Sequence, residues 1–215
     1  MKPRLLAAAQ ALGLSLSDAE ADTLLAYLGL IAKWNKVYNL TAVRDPEQML
    51  TQHLVDCLAA VPPLRRALAE QGAGATPALL DVGAGAGLPG VVFAILHPQL
   101  QVHCVDTVAK KAAFVQQVAV ELQLANLRGL HARVESLGAG YDVVSSRAFS
   151  SLADFTAWSR AALKPGAVWL AMKGKAPQDE IAALPASVQM FHVEHLQVPG
   201  LDAERCIVWM RPAAA

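Results

Sequence analysis

The sequence has little charge, few cysteines and no long apolar run, and each shortage excludes a class of protein. Charged residues make up 17% of the 215 residues and hydrophobic residues 54%, a balance that argues against intrinsic disorder. No apolar stretch of about 18 or more residues runs without a charge, so the sequence predicts no membrane span. A chain of this length suits one domain with a sizeable core.

Cysteine and charge also bear on partners and location. The three cysteines (Cys57, Cys104 and Cys206) are scattered, odd in number, and show neither zinc nor redox spacing. We therefore expect no metal site and a reducing, cytoplasmic location. The 18 basic residues balance the 18 acidic ones, so a surface for nucleic acid would have to be a local patch.

The first part of the chain, residues 1–70, is predicted to be helical. Its apolar start resembles a signal peptide, but Ser17 and Glu20 form a capping-box pattern that favours a helix. Asp45 before Pro46 predicts the cap of a further helix, whose apolar pattern we expect to end at residues 62–63.

Residues 71–77 have the composition of a loop, and from residue 78 strands alternate with helices. The strand candidates are 78–82, 101–106, 127–131, 141–147, 167–172, 189–197 and 205–211, and the later helix candidates are 89–96, 108–123, 151–163 and 177–184. This alternation predicts a mainly parallel sheet with helices on both faces. The last two strands are joined by a short link, so they should pair antiparallel. We expect a core over 71–215, with the helices of 1–70 packed on it.

A glycine-rich segment follows the first predicted strand and reads Asp-Val-Gly-Ala-Gly-Ala-Gly-Leu-Pro-Gly over residues 81–90. Glycine takes positive φ and lets a ligand approach the backbone, so Gly85 is a candidate cofactor-binding residue. The second predicted strand ends at Asp106, which is placed to accept hydrogen bonds from a ribose diol. The alternative for Asp106 is an ordinary helix cap.

Asp81, just before the glycines, bears on the choice of cofactor. Residues 85–90 match the dinucleotide pattern G-x-G-x-x-G, but a carboxylate here would face the pyrophosphate anion of a dinucleotide. The ammonium and sulfonium groups of S-adenosylmethionine (SAM) instead favour a nearby carboxylate. We therefore expect SAM, with a capped turn residue as the alternative role for Asp81.

Five separate blocks lie in order along roughly residues 20 to 210. They are Trp34-Asn35 with Asn39-Leu40-Thr41 and Arg44-Asp45; His53 through Leu58; Asp81 through Gly90; Ser146-Arg147-Ala148-Phe149; and Met172-Lys173-Gly174. Together they resemble the RsmG (GidB) family of bacterial 16S rRNA guanine-N7 methyltransferases. One departure is Cys57, where the family pattern has a serine; a buried cysteine can replace a serine whose hydroxyl is not essential.

The resemblance implies a class I SAM-dependent methyltransferase, an α/β fold with a seven-stranded sheet and an antiparallel end. It implies methyl transfer to N7 of a guanine in the 530 loop of 16S rRNA, at position 527 of the rRNA. Guanine N7 has an in-plane lone pair and no proton, so no general base is needed and no catalytic residue is assigned. By motif, the resemblance places five residues at the cofactor: Gly83, Leu88, Val134, Glu135 and Arg147.

Three basic residues are candidates for binding RNA. Arg147 ends the fourth predicted strand in the crevice and could bind a cofactor carboxylate, an RNA phosphate or the guanine edge; the alternative is an ion pair. Lys173 ends the fifth strand and meets either phosphate or solvent. Arg44 could join a basic patch beside Trp34 and Tyr38, although these aromatic residues are four apart and could instead pack together on a helix.

The expected partner is 16S rRNA or the small ribosomal subunit, and we expect a monomer with no metal and no membrane contact. His53 and Asp56 are one turn apart, a spacing that favours a structural pair over a metal or acid–base site. Three other functions stay open. They are a methyltransferase for a small molecule or protein, an NAD-dependent reductase, and a non-catalytic interaction module with a blocked crevice.

Overall fold

The computed structural model describes residues 1–72, 74 and 76–214, which form helices and one sheet. The helices are α1 (Lys2–Ala11), α2 (Asp18–Tyr38), α3 (Pro46–Met49), α4 (Asp56–Leu58), α5 (Val61–Glu70), α6 (Gly90–Leu96), α7 (Ala109–Glu121), α8 (Leu152–Ser159) and α9 (Gln178–Ala182). A π-helical turn (Leu50–Val55) joins α3 to α4, and 3-10 turns cover Val134–Ser136 and Arg160–Ala162. The strands are β1 (Ala78–Val82), β2 (Gln101–Asp106), β3 (Leu127–His131), β4 (Tyr141–Arg147), β5 (Leu163–Lys173), β6 (Val188–Leu196) and β7 (Arg205–Pro212).

The sheet has the order β3-β2-β1-β4-β5-β7-β6. All neighbours pair parallel except the β5–β7 and β7–β6 pairs, which are antiparallel. The predicted seven strands, their mainly parallel arrangement and the antiparallel end are confirmed. The parallel order places the carboxyl ends of β1, β2, β4 and β5 at one edge, where open α/β sheets bind their ligands.

Strand β5 begins four residues before its predicted start. Leu163 already pairs with Tyr141, and a register shift then follows before Val143 pairs with Val168. Gly166 has φ +80° in this irregular stretch. The prediction missed these residues because the Lys-Pro-Gly sequence reads as a turn, whereas the edge of the strand accommodates it as a bulge.

The helix starts predicted in residues 1–70 are confirmed at two caps. The Ser17 side chain accepts the Glu20 N–H at 3.2 Å, and the Glu20 carboxylate accepts the Ser17 N–H at 2.7 Å. Asp45 Oδ1 accepts the Gln48 N–H at 2.8 Å. Residues 62–63 end one apolar pattern as predicted, but they also open α5, because proline fits the first helical turn, where no N–H partner is required.

The π-helical turn was not predicted from the sequence. The sequence places Met49, His53, Leu54, Cys57 and Leu58 at helical spacing, and all five are buried. Residues 50–55 nevertheless take π-helical hydrogen bonds between α3 and α4. Such wide turns occur often at functional sites, and the spacing of apolar residues does not reveal them.

The N-terminal helices contact the glycine-rich segment from behind. Helix α2 packs against α6 and α7. Tyr27 of α2 is fully buried, and its hydroxyl donates to the Ala86 carbonyl oxygen at 2.7 Å. The predicted loop at 71–77 lies partly outside the described residues, at positions 73 and 75. Within the described ranges no helix is long and apolar enough to cross a membrane.

We propose that residues 1–70 unfold together with residues 71–215. Replacing Tyr27 with phenylalanine leaves the buried Ala86 carbonyl without its donor, which should lower the free energy of unfolding by about 1–3 kcal/mol. Urea unfolding followed by circular dichroism and by tryptophan fluorescence should give one coincident transition at a lower midpoint. Tyr38→Phe is the control, since the Tyr38 hydroxyl makes no hydrogen bond within the described part of the chain. Two separate transitions would show that the helices form an independent unit.

Candidate functional site

The glycine turn, residues 83–89, connects β1 to α6 and is tied to β2. Gly83 has φ +66°, and its N–H donates to the Val105 carbonyl oxygen at 2.9 Å. The Gly85 N–H donates to Asp106 Oδ2 at 3.0 Å, and Asp106 Oδ1 accepts the Val108 N–H at 2.9 Å. Asp106 therefore fixes the turn and the start of the next helix at the same time.

Most backbone donors of the glycine turn are used inside the protein. Besides Gly83 and Gly85, the Gly87 N–H donates to the Ala84 carbonyl oxygen at 2.8 Å. In dinucleotide-binding folds a pyrophosphate would receive such donors. The arrangement suits a cofactor without phosphates, and it counts against the NAD-dependent reductase considered from the sequence.

Asp81 does not face a ligand, so the expectation that its carboxylate meets a bound cation is wrong. The residue is fully buried. Its oxygens accept the Gly90 N–H and the Ser145 hydroxyl, each at 3.0 Å. Burial raises the pKa of Asp81 to about 7, against the lowering effect of these two hydrogen bonds. The carboxyl group is an internal tie between the start of α6 and β4.

A cavity of about 450 Å³, here called the aromatic cavity, opens at the carboxyl ends of β1 and β2. It brings together four of the predicted cofactor residues, which are Gly83, Asp106, Val134 and Glu135. Gly85 lies in the adjoining turn. Leu88 packs in the hydrophobic core and is outside the residues that line this cavity.

Two aromatic side chains form the wall of this cavity, and one of them was missed. Phe149 and Trp158 meet edge to face, with ring centroids 5.7 Å apart. Trp158 is 43% exposed, which is unusual for a large aromatic side chain. A Cβ on Gly83 would lie 3.1 Å from the Phe149 ring, so the glycine makes room for this wall. The block Ser-Arg-Ala-Phe indicated Phe149, whereas nothing in the sequence singled out Trp158.

Arg147 lines a second cavity of about 380 Å³, here called the basic cavity. Its Nη1 donates to the Gln52 carbonyl oxygen and to Asp56 Oδ2, both at 3.0 Å. Lys173 lines the same cavity, with its Nζ 2.8 Å from Glu180 Oε2. The structure thus brings Arg147 and Lys173 together, as their strand-end positions predicted.

Arg205 and Asp56 complete the basic cavity, and sequence reasoning gave neither a role there. Arg205 Nε donates to Asp56 Oδ1 at 2.8 Å, so Asp56 bridges two arginines. Arg205 begins β7, which lies beside β5 in the sheet. Its contribution depends on an antiparallel pairing between segments distant in sequence, so no local motif could indicate it.

His53 is not paired with Asp56. Its Nε2 lies 2.9 Å from the Thr41 hydroxyl, whose oxygen also accepts the Val43 N–H at 3.1 Å. Burial and then the charge of Arg147 lower the pKa of His53, so the ring is neutral at pH 7. The Gln52 carbonyl opposes this shift, but it is not in hydrogen-bonding geometry with Nδ1.

Ala148 lies between the two cavities. It has φ +57°, a left-handed conformation that non-glycine residues adopt rarely and at an energetic cost. Arg147 before it lines the basic cavity, and Phe149 after it lines the aromatic cavity. One strained residue therefore directs its two neighbours into different cavities.

Arg44 lies outside both cavities. It is exposed. Trp34 and Tyr38 stack on each other, with centroids 5.2 Å apart and an interplanar angle of 14°. This is the packing expected of aromatic residues four apart on a helix. Within the described residues no group of three or more His, Cys, Asp or Glu side chains is placed to hold a metal ion.

The comparisons with known proteins identify the family. A family model described as rRNA small subunit methyltransferase G matches residues 20–208. The chain belongs to this family. Ribosomal RNA small subunit methyltransferase G of Acidovorax ebreus (strain TPSY) is 67% identical over 210 residues, covering 96% of this chain and 93% of its own length. The protein of the same name from Acidovorax sp. (strain JS42) is 68% identical with the same coverage.

Solved structures agree on the fold. A SAM-dependent methyltransferase from Aquifex aeolicus superposes with a TM-score of 0.54 and 17% identity, covering 77% of this chain and 98% of that one. A variant of the 16S rRNA (adenine(1408)-N(1))-methyltransferase from Catenulisporales acidiphilia, with cosubstrate SAM, gives a TM-score of 0.50 and 22% identity, covering 68% and 89%. At these identities the likeness shows the fold, which is that of a class I SAM-dependent methyltransferase.

Asp81 gives a prediction for stability against pH. Its folded pKa of about 7 lies above the unfolded value of 3.8, so the folded protein retains a proton that the unfolded chain loses. The stability of the wild type relative to Asp81→Asn should therefore fall as pH rises from 4 to 7 and level off above that, by about 4 kcal/mol in all. Histidines with lowered pKa values act in the opposite sense, and taking the difference between the two proteins removes them. Urea titrations of both proteins at each pH measure this difference in the free energy of unfolding. A difference that does not change with pH would contradict the prediction.

Gly83 gives a prediction for cofactor binding. An alanine there would be strained by its positive φ and would press on Phe149. Gly166→Ala is a matched control, because Gly166 also has positive φ but open space around its Cβ. We expect both variants to lose similar stability, and only Gly83→Ala to bind SAM at least about tenfold more weakly by calorimetry, a loss of about 1.4 kcal/mol. Equal SAM affinities in the two variants would exclude Gly83 from the cofactor site.

Proposed function

We propose that this protein transfers the methyl group of SAM to N7 of a guanine in the 530 loop of 16S rRNA. SAM-dependent methylation of 16S rRNA follows from membership of the family. The base, the atom and the loop are the finer part of the proposal. They rest on the state of the acids and bases around the two cavities.

The observation that carries the proposal is that the carboxylates of both cavities are already engaged. Asp56 is shared by two arginines, and both Asp106 oxygens accept backbone N–H groups. Glu135 is paired with Arg133 at 2.9 Å, and His53 Nε2 is held by Thr41. An acceptor that must lose a proton would need a free base in reach. Guanine N7 presents a lone pair and no proton, so it suits a site of this kind.

The residues present fit SAM, whose positively charged sulfur carries a methyl group ready for transfer when the cofactor is bound. The glycine turn offers no phosphate cradle and SAM carries no phosphate. Asp106 can still accept hydrogen bonds from a ribose, because each carboxylate oxygen has two lone pairs. We assign the cofactor to Gly83, Gly85, Asp106, Val134 and Glu135. Leu88 would act from behind the turn, and Arg147 from the basic cavity.

The protein itself then contributes the positioning of the two reactants and the exclusion of water. Two fixed cavities that share the segment 147–149 hold two reactants in a set relation, which lowers the entropic part of the barrier. The aromatic wall of Phe149 and Trp158 excludes water from one side. Fixed dipoles of the tied turn suit a reaction in which positive charge moves from sulfur toward a purine.

The substrate must present its guanine outside a regular helix. The N7 edge of guanine lies in the deep major groove of double-stranded RNA, where side chains reach poorly. A single-stranded loop or a base turned out into the crevice satisfies this requirement. Arg147 and Lys173 are placed to meet the RNA backbone at the crevice, and we propose Arg44 as a peripheral contact. We also expect the enzyme to act in the cytoplasm as a monomer.

The decisive experiment maps N7-methylguanine in 16S rRNA from cells that lack this protein. The mark in the 530 loop should be absent, should return with the wild-type protein, and should return weakly with Asp106→Ala. Chemical cleavage at N7-methylguanine followed by primer extension locates the base. An N7-methylguanine that persists unchanged in cells lacking this protein would have to be made by another enzyme. That result would refute the guanine assignment and leave methylation elsewhere in 16S rRNA.

A further inference from the structure

The basic cavity has a charge imbalance that its own residues do not resolve. Arg147 and Arg205 share one carboxylate, that of Asp56, whose side chain is only 4% exposed. Lys173 and Glu180 neutralise each other. Once Glu180, which lies outside the lining, is counted against Lys173, one positive charge is left over in a partly buried place. Such a charge is costly unless an anion joins it.

The hydrogen bonds still available there are nearly all donors. Arg147 uses only its Nη1, and Arg205 uses Nε and Nη1, so within the described residues both Nη2 groups are free. His53 lines the same cavity, and its buried Nδ1 has no partner in the described structure. A ligand for this cavity should accept hydrogen bonds and carry one negative charge.

We propose that the basic cavity binds a single oxyanion through Arg205 and Arg147, and that Asp56 is the positioning residue that aligns the two guanidinium groups. This inference rests on the proposed function and names part of its substrate site. Two ligands supply such an oxyanion: a phosphodiester of the RNA beside the target base, and the carboxylate of the cofactor's methionine part. The phosphodiester is favoured because Arg205 and Lys173 lie on β7 and β5, away from Gly83 and Asp106.

The π-helical turn explains how Asp56 can do this. Within this turn the Gln52 carbonyl accepts from Arg147 Nη1, next to the Asp56 carboxylate that accepts from the same nitrogen. Arg147 is thus held by two acceptors on one side, and Arg205 by Asp56 and the Glu204 carbonyl. Both side chains keep their remaining N–H groups in a fixed orientation, the arrangement that suits recognition of a phosphate or carboxylate.

The test compares Arg205→Gln with Arg211→Gln, which removes the same charge from the exposed far end of the same strand. With the small ribosomal subunit as substrate, Arg205→Gln should raise KM about tenfold, and the slope of log affinity against log salt should fall by about 1, the release of one phosphate contact. Affinity for S-adenosylhomocysteine should stay unchanged. Arg211→Gln should match the wild type in all three measurements.

The other outcomes separate the alternatives. If Arg205→Gln weakens binding of S-adenosylhomocysteine but not of methylthioadenosine, which lacks the carboxylate, the oxyanion is that of the cofactor. If neither RNA nor cofactor binding differs from Arg211→Gln, the proposal is overturned. A wild-type enzyme that methylates no guanine N7 would refute the proposed function, while the binding measurements would still decide the oxyanion site.

Asp56→Asn tests the positioning role. Without the carboxylate the cavity gains a net positive charge, so RNA should bind more tightly at low salt with a steeper salt dependence. Methylation should nevertheless slow, with kcat reduced at least about tenfold, because the guanidinium groups are no longer aligned. A variant that only damages the fold would lose both binding and turnover. Arg205→Lys keeps the positive charge but loses the planar guanidinium. Compared with Arg205→Gln, it should restore RNA binding more than it restores turnover.

Discussion

The functional end of this molecule depends on buried acceptors that hold the backbone of the glycine turn. Asp81 ties the start of α6 to β4, and Asp106 ties the turn to β2. The Tyr27 hydroxyl adds a third tie from helix α2. With most of its amides satisfied by the protein, the turn is held without a ligand and offers a shaped surface more than free donors. This accounts for a site that suits a nucleoside without phosphates.

Neutral net charge and a polyanionic substrate are compatible because the positive charge is concentrated. Acidic partners neutralise Lys173 and half of the charge on Arg147 and Arg205, which leaves about one uncompensated charge in the basic cavity. A protein of this kind attracts bulk RNA weakly. It distinguishes its target by the shape and spacing of a few contacts, since sequence-independent attraction grows with the number of neutralised phosphates.

Most of the fold could be predicted from the sequence, because strand–helix alternation and short links leave few topologies open. The aromatic cavity could be predicted in part, since Asp106 ends the second predicted strand and the family resemblance implied Gly83, Val134 and Glu135. Arg205 could not, because its place beside Asp56 depends on segments far apart in sequence, and no local pattern marked the π-helical turn or Trp158. The role of Asp81 was misjudged for a similar reason. Its position before the turn suggested contact with a ligand, but its burial depends on Ser145 and Gly90, which the local pattern does not place beside it.

Ala148 has a thermodynamic consequence. Its left-handed backbone joins a side chain of one cavity to a side chain of the other, so a ligand that shifts Arg147 also bears on Phe149. Binding free energies linked in this way are reciprocal. If the first ligand changes the affinity for the second by some factor, the second changes the affinity for the first by the same factor. The strained peptide thus gives the proposed cofactor and RNA sites a shared backbone element through which such coupling would act.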